Sequence, residues 1–132
     1  MSEENVETVR GAYDDFNSGN IPGVLGRMDP DVEWTEPGGG NAAAGTFKGP
    51  DAVGQEVFAT VPENFDDFSV EVLEAKDEGD TVIVKSRFKG KPKGGGEMDL
   101  TATQTWEVKD GKITKTDNKP NDQGAWAKAW GG

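Results

Sequence analysis

Two rhythms of apolar and polar residues run along this chain, a helical one near its start and a strict alternation through its second half. Val6, Val9, Ala12, Tyr13 and Phe16 recur at helical spacing, which predicts an amphipathic helix over residues 3–17. Asn17, Ser18, Gly19 and Asn20 stop it. Ile21, Val24, Leu25 and Met28 repeat at i, i+3, i+4 and i+7 and predict a short second helix. Asp29 and Pro30 should end it, because Pro30 has no backbone donor and biases Asp29 away from helical geometry. Residues 31–36, DVEWTE, alternate and read as a strand. Residues 37–49 are rich in Gly and Ala and read as a flexible crossing segment rather than a packed element. A third helix should start at Pro50 and Asp51, bury Val53, Val57 and Val61, and end at Pro62.

From Phe68 onward the period is two. Phe68, Val70 and Val72 alternate with polar residues, and KDEGD at 76–80 reads as a turn. Val82, Val84, Ser86 and Phe88 share one face of the next strand, and KGKPKGGG at 89–96 reads as a hairpin loop. The longest strand places Met98, Leu100, Ala102, Gln104, Trp106 and Val108 on one face and Asp99, Thr101, Thr103, Thr105 and Glu107 on the other. The Asp-Gly pair of KDGK, 109–112, suits a tight hairpin turn, and Ile113 to Asn118 returns beside it. Helices first and strands last predict an α+β fold, with a curved antiparallel sheet wrapped over three N-terminal helices. The inner face of such a cone can hold a small molecule. Trp126 and Trp130 of GAWAKAW sit four apart, on one face of a short terminal helix. They can cap the cone or pack against a second subunit.

Two residues break the apolar inner face. Val32, Trp34 and Glu36 share one side of their strand, so a carboxylic acid points inward just before PGGG. Burial disfavours the charged form of such a group and raises its pKa toward the range of a general base. The alternative is a carboxylate in solvent, or one bonded to the backbone N–H groups of the glycine turn. Gln104 interrupts the longest strand, where a buried amide has to find partners. It can donate to a ligand oxygen, or be a core amide satisfied by Thr116 or Asn118 on the neighbouring strand.

Composition narrows the chemistry. The chain has 132 residues, the size of one domain, and 25 acidic against 14 basic residues give a net charge of −11. That balance argues against nucleic acid and anionic membranes as partners. There is no cysteine and no histidine. Disulfides, thiolate metal sites and cysteine nucleophiles are excluded, and acid–base work falls to Asp, Glu, Lys or Tyr. Asp29, Asp31 and Glu33 match no metal-loop spacing, so no metal is expected. MSEENVETVR lacks the apolar run of a signal peptide and no stretch reaches membrane-spanning length, so a cytoplasmic location is expected.

Four pieces carry a resemblance: YDDFNSGN (13–20), MDPDVEW (28–34), GTFKGPDAV (45–53) and WEVKDGKI (106–113). In this order and spacing the chain resembles the SnoaL-like branch of the nuclear transport factor 2-like superfamily. That superfamily includes ketosteroid isomerases, polyketide cyclases and limonene epoxide hydrolases. The resemblance implies one domain over residues 1–132 with a cystatin-like α+β barrel, a cone-shaped pocket, frequent homodimers and no cofactor. The isomerase base is a carboxylate followed by Pro at the end of the first strand, and Glu36-Pro37 stands there. Its oxyanion donors fall on Ala12 and Gln104, with Tyr13 one residue, roughly 100°, further around the helix. The last-strand Asp of cyclases and epoxide hydrolases falls on Asn118, and the His that cyclases often carry two residues earlier falls on Thr116. The resemblance therefore points to Glu36 as the catalytic residue. Gln104, Thr116, Asn118, Trp34, Trp106 and Tyr13 would surround a small apolar molecule bearing a carbonyl or hydroxyl. The rival is a ligand-binding or scaffold protein of the same fold without catalysis.

Overall fold

The computed structural model describes residues 2–36 and 45–130, apart from the side chains at 2, 3, 123 and 127. Helix α1 spans Ser2–Asn17 and α2 spans Ile21–Gly26. Asn20 caps α2 by accepting from the Gly23 N–H at 3.1 Å. Strands β1 (Met28–Glu36) and β2 (Gly45–Lys48) follow. Next come α3 (Pro50–Val53), a π-helical turn (Gly54–Phe58) and α4 (Val61–Asn64). Strands β3 (Phe65–Asp77), β4 (Thr81–Pro92), β5 (Met98–Lys109) and β6 (Lys112–Pro120) form the meander, and α5 (Gln123–Ala129) closes the described chain.

The six strands make one sheet in the order β2-β1-β6-β5-β4-β3. Neighbours are antiparallel except β1 and β6, which run parallel. The architecture is α+β, an open sheet curved over the helices, as the order of elements predicts. α1 crosses β3, β4 and β6, so its apolar stripe faces the concave side. That side carries the alternating residues: Val82, Val84, Ser86 and Phe88 from β4, and Met98, Leu100, Ala102, Gln104, Trp106 and Val108 from β5, are all buried. Asn17 ties α1 to the edge strand β3. Its amide donates to Val70 O at 2.7 Å and accepts from Val70 N at 3.1 Å. Among the described residues no helix is long and apolar enough to cross a membrane.

Four local expectations are corrected. Met28 belongs to β1 rather than α2, and Pro30 lies inside the strand. The ladder with β6 shifts register between Met28 and Glu33, so Pro30 occupies an irregular stretch where no ladder donor is needed. Asp29 supports this bend by accepting from the Asp31 N–H at 2.9 Å. Residues 45–48 are a strand paired with residues 33–36 of β1, not part of a crossing loop; residues 37–44 lie outside the described residues. The third helix is broken: the Ala59 N–H reaches Gly54 O at 2.8 Å, an i→i+5 bond that widens the turn and buries Val57 and Phe58 together. Pro62 does not end a helix but stands in the first turn of α4.

Candidate active site

β1 aims Glu36 inward because Val32, Trp34 and Glu36 are separated by two residues each. Glu36 pairs across the ladder with Gly45 of β2, so it sits within the sheet rather than in solvent, with 8 % of its surface exposed. The Trp34 indole N–H donates to Glu36 Oε2 at 2.6 Å, and the Asn118 amide donates to Oε1 at 3.1 Å. Among the described residues no Lys or Arg pairs with it. Burial dominates and lifts the Glu36 pKa from 4.5 to about 7; the Trp34 and Asn118 hydrogen bonds pull down, and the charge of Asp117 pushes up. Glu36 therefore exchanges its proton near neutrality, where a general base or acid is most effective. The glycine-turn alternative for Glu36 involves residues outside the described set.

A second polar chain crosses the concave face. The Trp106 indole N–H donates to the Tyr13 hydroxyl at 3.0 Å, and the Tyr13 O–H donates to Gln104 Oε1. Ser86 Oγ also donates to Gln104 Oε1, at 3.3 Å. The direction of this chain follows from its first member: an indole N–H can only donate, so the Tyr13 proton has to go onward to an acceptor. The acceptor is the amide oxygen, and the amide N–H₂ of Gln104 is left for another partner. Burial also pushes the Tyr13 pKa far above its ordinary value, so the phenol stays protonated.

Tyr13, Trp34, Glu36, Gln104 and Trp106 line a cavity of about 50 Å³ together with a set of further aromatic rings. The rings touch edge to face: Trp34 with Phe58 at 5.2 Å, Trp34 with Trp106 at 5.5 Å, Tyr13 with Trp106 at 5.4 Å, and Phe88 with Trp126 at 5.0 Å. A water needs about 10–15 Å³ of such space, so the resting cavity admits a few waters. A larger ligand has to displace side chains.

The candidates from the sequence divide into two groups. Glu36, Gln104, Trp34, Trp106 and Tyr13 meet at the cavity. Thr116 and Asn118 are buried beside it but do not line it. Asn118 stands directly opposite Gln104 in the β5–β6 ladder, yet its amide turns to Glu36, the stronger acceptor. Gln104 is therefore satisfied from α1 and β4 rather than from β6. Tyr13 also lies closer to the chemistry than its angular offset suggests, because both Ala12 and Tyr13 of α1 line the cavity. Trp126 of α5 and Trp130 at its C-cap are 2 % and 3 % exposed and line the chain's own cavity, so they form no apolar patch for a second subunit. Sequence reasoning missed Phe58, which the π-helical turn brings in, and Ser86, whose signal was its place on the inward side of β4.

A family model described as a SnoaL-like domain matches residues 9–116. No curated protein matches the chain. Among solved structures, an NTF2-like protein of unknown function from Burkholderia pseudomallei is 25 % identical, with both chains covered in full and a TM-score of 0.89. Bal32a, from a soil-derived mobile gene cassette, is 28 % identical over 98 % of each chain, with a TM-score of 0.89. TerC, co-crystallized with polyporic acid, is 27 % identical over 98 % of this chain and 99 % of its own, with a TM-score of 0.87.

Proposed function

This chain belongs to the SnoaL-like domain family, and from that premise we propose that it is a cofactor-independent enzyme that moves a proton on an apolar substrate carrying a carbonyl. The observation that carries the reading is Glu36: a buried carboxyl without a cation partner among the described residues, facing an aromatic cavity, with its pKa raised by burial to about 7. In its ionised form Glu36 takes a proton from the carbon next to the carbonyl. The C–H electron pair moves into the new carbon–carbon double bond, and the carbonyl electrons go to oxygen. The free amide N–H of Gln104 donates to that oxygen as charge develops on it. Protonated Glu36 then returns the proton to the same or a neighbouring carbon, which completes an isomerisation. A lyase would use the same base but expel a leaving group from the β-carbon, protonated by Glu36, instead of returning the proton to carbon; a hydrolase would use Glu36 to take the proton of an attacking water and hand it to the departing group. Trp34 and Asn118 hold the carboxyl in place throughout. Ligand binding by TerC supports the aromatic cavity as a small-molecule site in this chain.

The test needs no natural substrate. The α-protons of 2-tetralone, a flat bicyclic ketone, are followed by NMR as they exchange with deuterium from solvent. Catalysed exchange is expected from the wild type, with a loss of about 100-fold or more in Glu36→Gln. Equal exchange by both proteins removes Glu36 from the mechanism.

Two observations favour a non-catalytic binding protein instead. The Tyr13 hydroxyl is already spent on Gln104, and the last strand offers Asn118 where cyclases have an acid. Under that reading the wild type binds 2-tetralone without accelerating its exchange.

A further inference from the structure

The polar groups around the cavity can be sorted by what they still lack. Trp34 N–H is used by Glu36, Trp106 N–H by Tyr13, and the Tyr13 proton by Gln104. Trp126 and Trp130 also line the cavity, and their Nε1 atoms are buried without any partner among the described residues. A buried indole N–H ordinarily finds an acceptor, and leaving one unpaired costs the desolvation of the group. Here two occur four residues apart, Trp126 in α5 and Trp130 at its C-cap, with ring centroids 5.8 Å from each other. The two buried side-chain atoms of the cavity lining that have no partner among the described residues are both donors.

We propose that α5 is a ligand-reading element, in which Trp126 and Trp130 donate their indole N–H groups to acceptor oxygens of the bound molecule. This rests on the small-molecule site proposed above and narrows its ligand. The molecule needs a flat, conjugated body, to lie among edge-to-face rings. It needs one oxygen for Gln104 and further acceptor oxygen at the α5 end of the ring system. A plain hydrocarbon leaves both indoles unpaired, and an ammonium group offers them nothing to accept with. Trp126 and Trp130 are thus specificity-determining residues, selecting oxygenated rings over bare ones, while Glu36 and Gln104 act at the reacting end.

The probes are 2-hydroxy-1,4-naphthoquinone and naphthalene, which share a ring system and differ in oxygen. Proton–nitrogen NMR resolves the indole N–H groups, with Trp126→Phe and Trp130→Phe assigning two of them. The naphthoquinone is expected to move the Trp126 and Trp130 resonances downfield, as new hydrogen bonds do, and naphthalene is not. By equilibrium dialysis each Phe variant should lose about three- to tenfold more in affinity for the naphthoquinone than for naphthalene. If a Phe variant does not fold, the wild-type spectrum decides: two of the indole resonances move downfield only with the oxygenated probe. Equal losses for both probes, unmoved indole resonances with the naphthoquinone bound, or no binding of the naphthoquinone would each overturn the proposal. Glu36→Gln is carried through the same titrations. Retained indole shifts there, beside unchanged proton exchange, would sink the catalytic reading alone.

Discussion

Replacing Glu36 by Gln should make the protein more stable at pH 8 and remove part of its pH dependence. The carboxyl keeps its proton in the folded state up to about pH 7, whereas in the unfolded chain it loses it near its ordinary value of 4.5. Between those values the unfolded state has released a proton that the folded state still holds. Stability therefore falls as pH rises through that window, and the loss is complete above it. At 1.36 kcal/mol for each unit of pKa, the whole effect is about 3 kcal/mol, of which about 2.5 kcal/mol lies between pH 5 and pH 8. Gln fits the site with no increase in unpaired groups, the Asn118 amide nitrogen taking the unpartnered place of its oxygen. Its oxygen accepts the Trp34 N–H, and its N–H₂ can face Asn118 once that amide turns over, because Asn118 Oδ1 has no partner at present. The assay is urea unfolding of both proteins at pH 5 and pH 8. Charges elsewhere contribute equally to both and cancel in the difference. Glu36→Gln should be nearly as stable as the wild type at pH 5 and about 2–3 kcal/mol more stable at pH 8. A parallel pH dependence in the two proteins would refute the burial argument.

Three other substitutions probe the supports of the site. Trp34→Phe keeps the ring packed against Phe58 and Trp106 but deletes the 2.6 Å bond to Glu36; it should raise the Glu36 midpoint by about 1, read by carboxyl NMR. Tyr13→Phe leaves the Trp106 N–H and Gln104 Oε1 without their shared hydroxyl, and should cost about 1–3 kcal/mol in urea unfolding. Asn17→Ala removes both bonds to the Val70 backbone and should cost about 1–3 kcal/mol, with hydrogen exchange rising first at the Val70 amide of the edge strand.

What could be read from the sequence depended on how local the cause was. Alternation placed Ser86, Gln104 and Trp106 on the concave face because strand geometry allows only two sides. The same rule placed Glu36 inward, from three residues of β1. The partners of those residues were not legible. Nothing near Gln104 in the chain says that its acceptor oxygen meets Tyr13, since that contact depends on how α1 crosses the sheet. Nor does any local pattern say that β1 runs parallel to β6, which is what sets Asn118 beside Glu36. Pro30 misled because a helix end and a strand irregularity are both places where a missing N–H costs nothing. The π-helical turn escaped because Val53, Val57 and Val61 fit an ordinary helix; the widened turn shows only in the bond from Ala59 to Gly54.

The central claim is that Glu36 holds its proton to near neutrality inside an aromatic cavity. Carbon-13 labelling of the Glu side chains, with the Glu36 signal identified by its absence in Glu36→Gln, gives its titration directly. The expected midpoint is about 7, with the Trp34 indole N–H resonance moving through the same transition because it is bonded to the carboxyl. A midpoint at the ordinary value of 4.5, with the Trp34 resonance unmoved between pH 6 and pH 8, would contradict it.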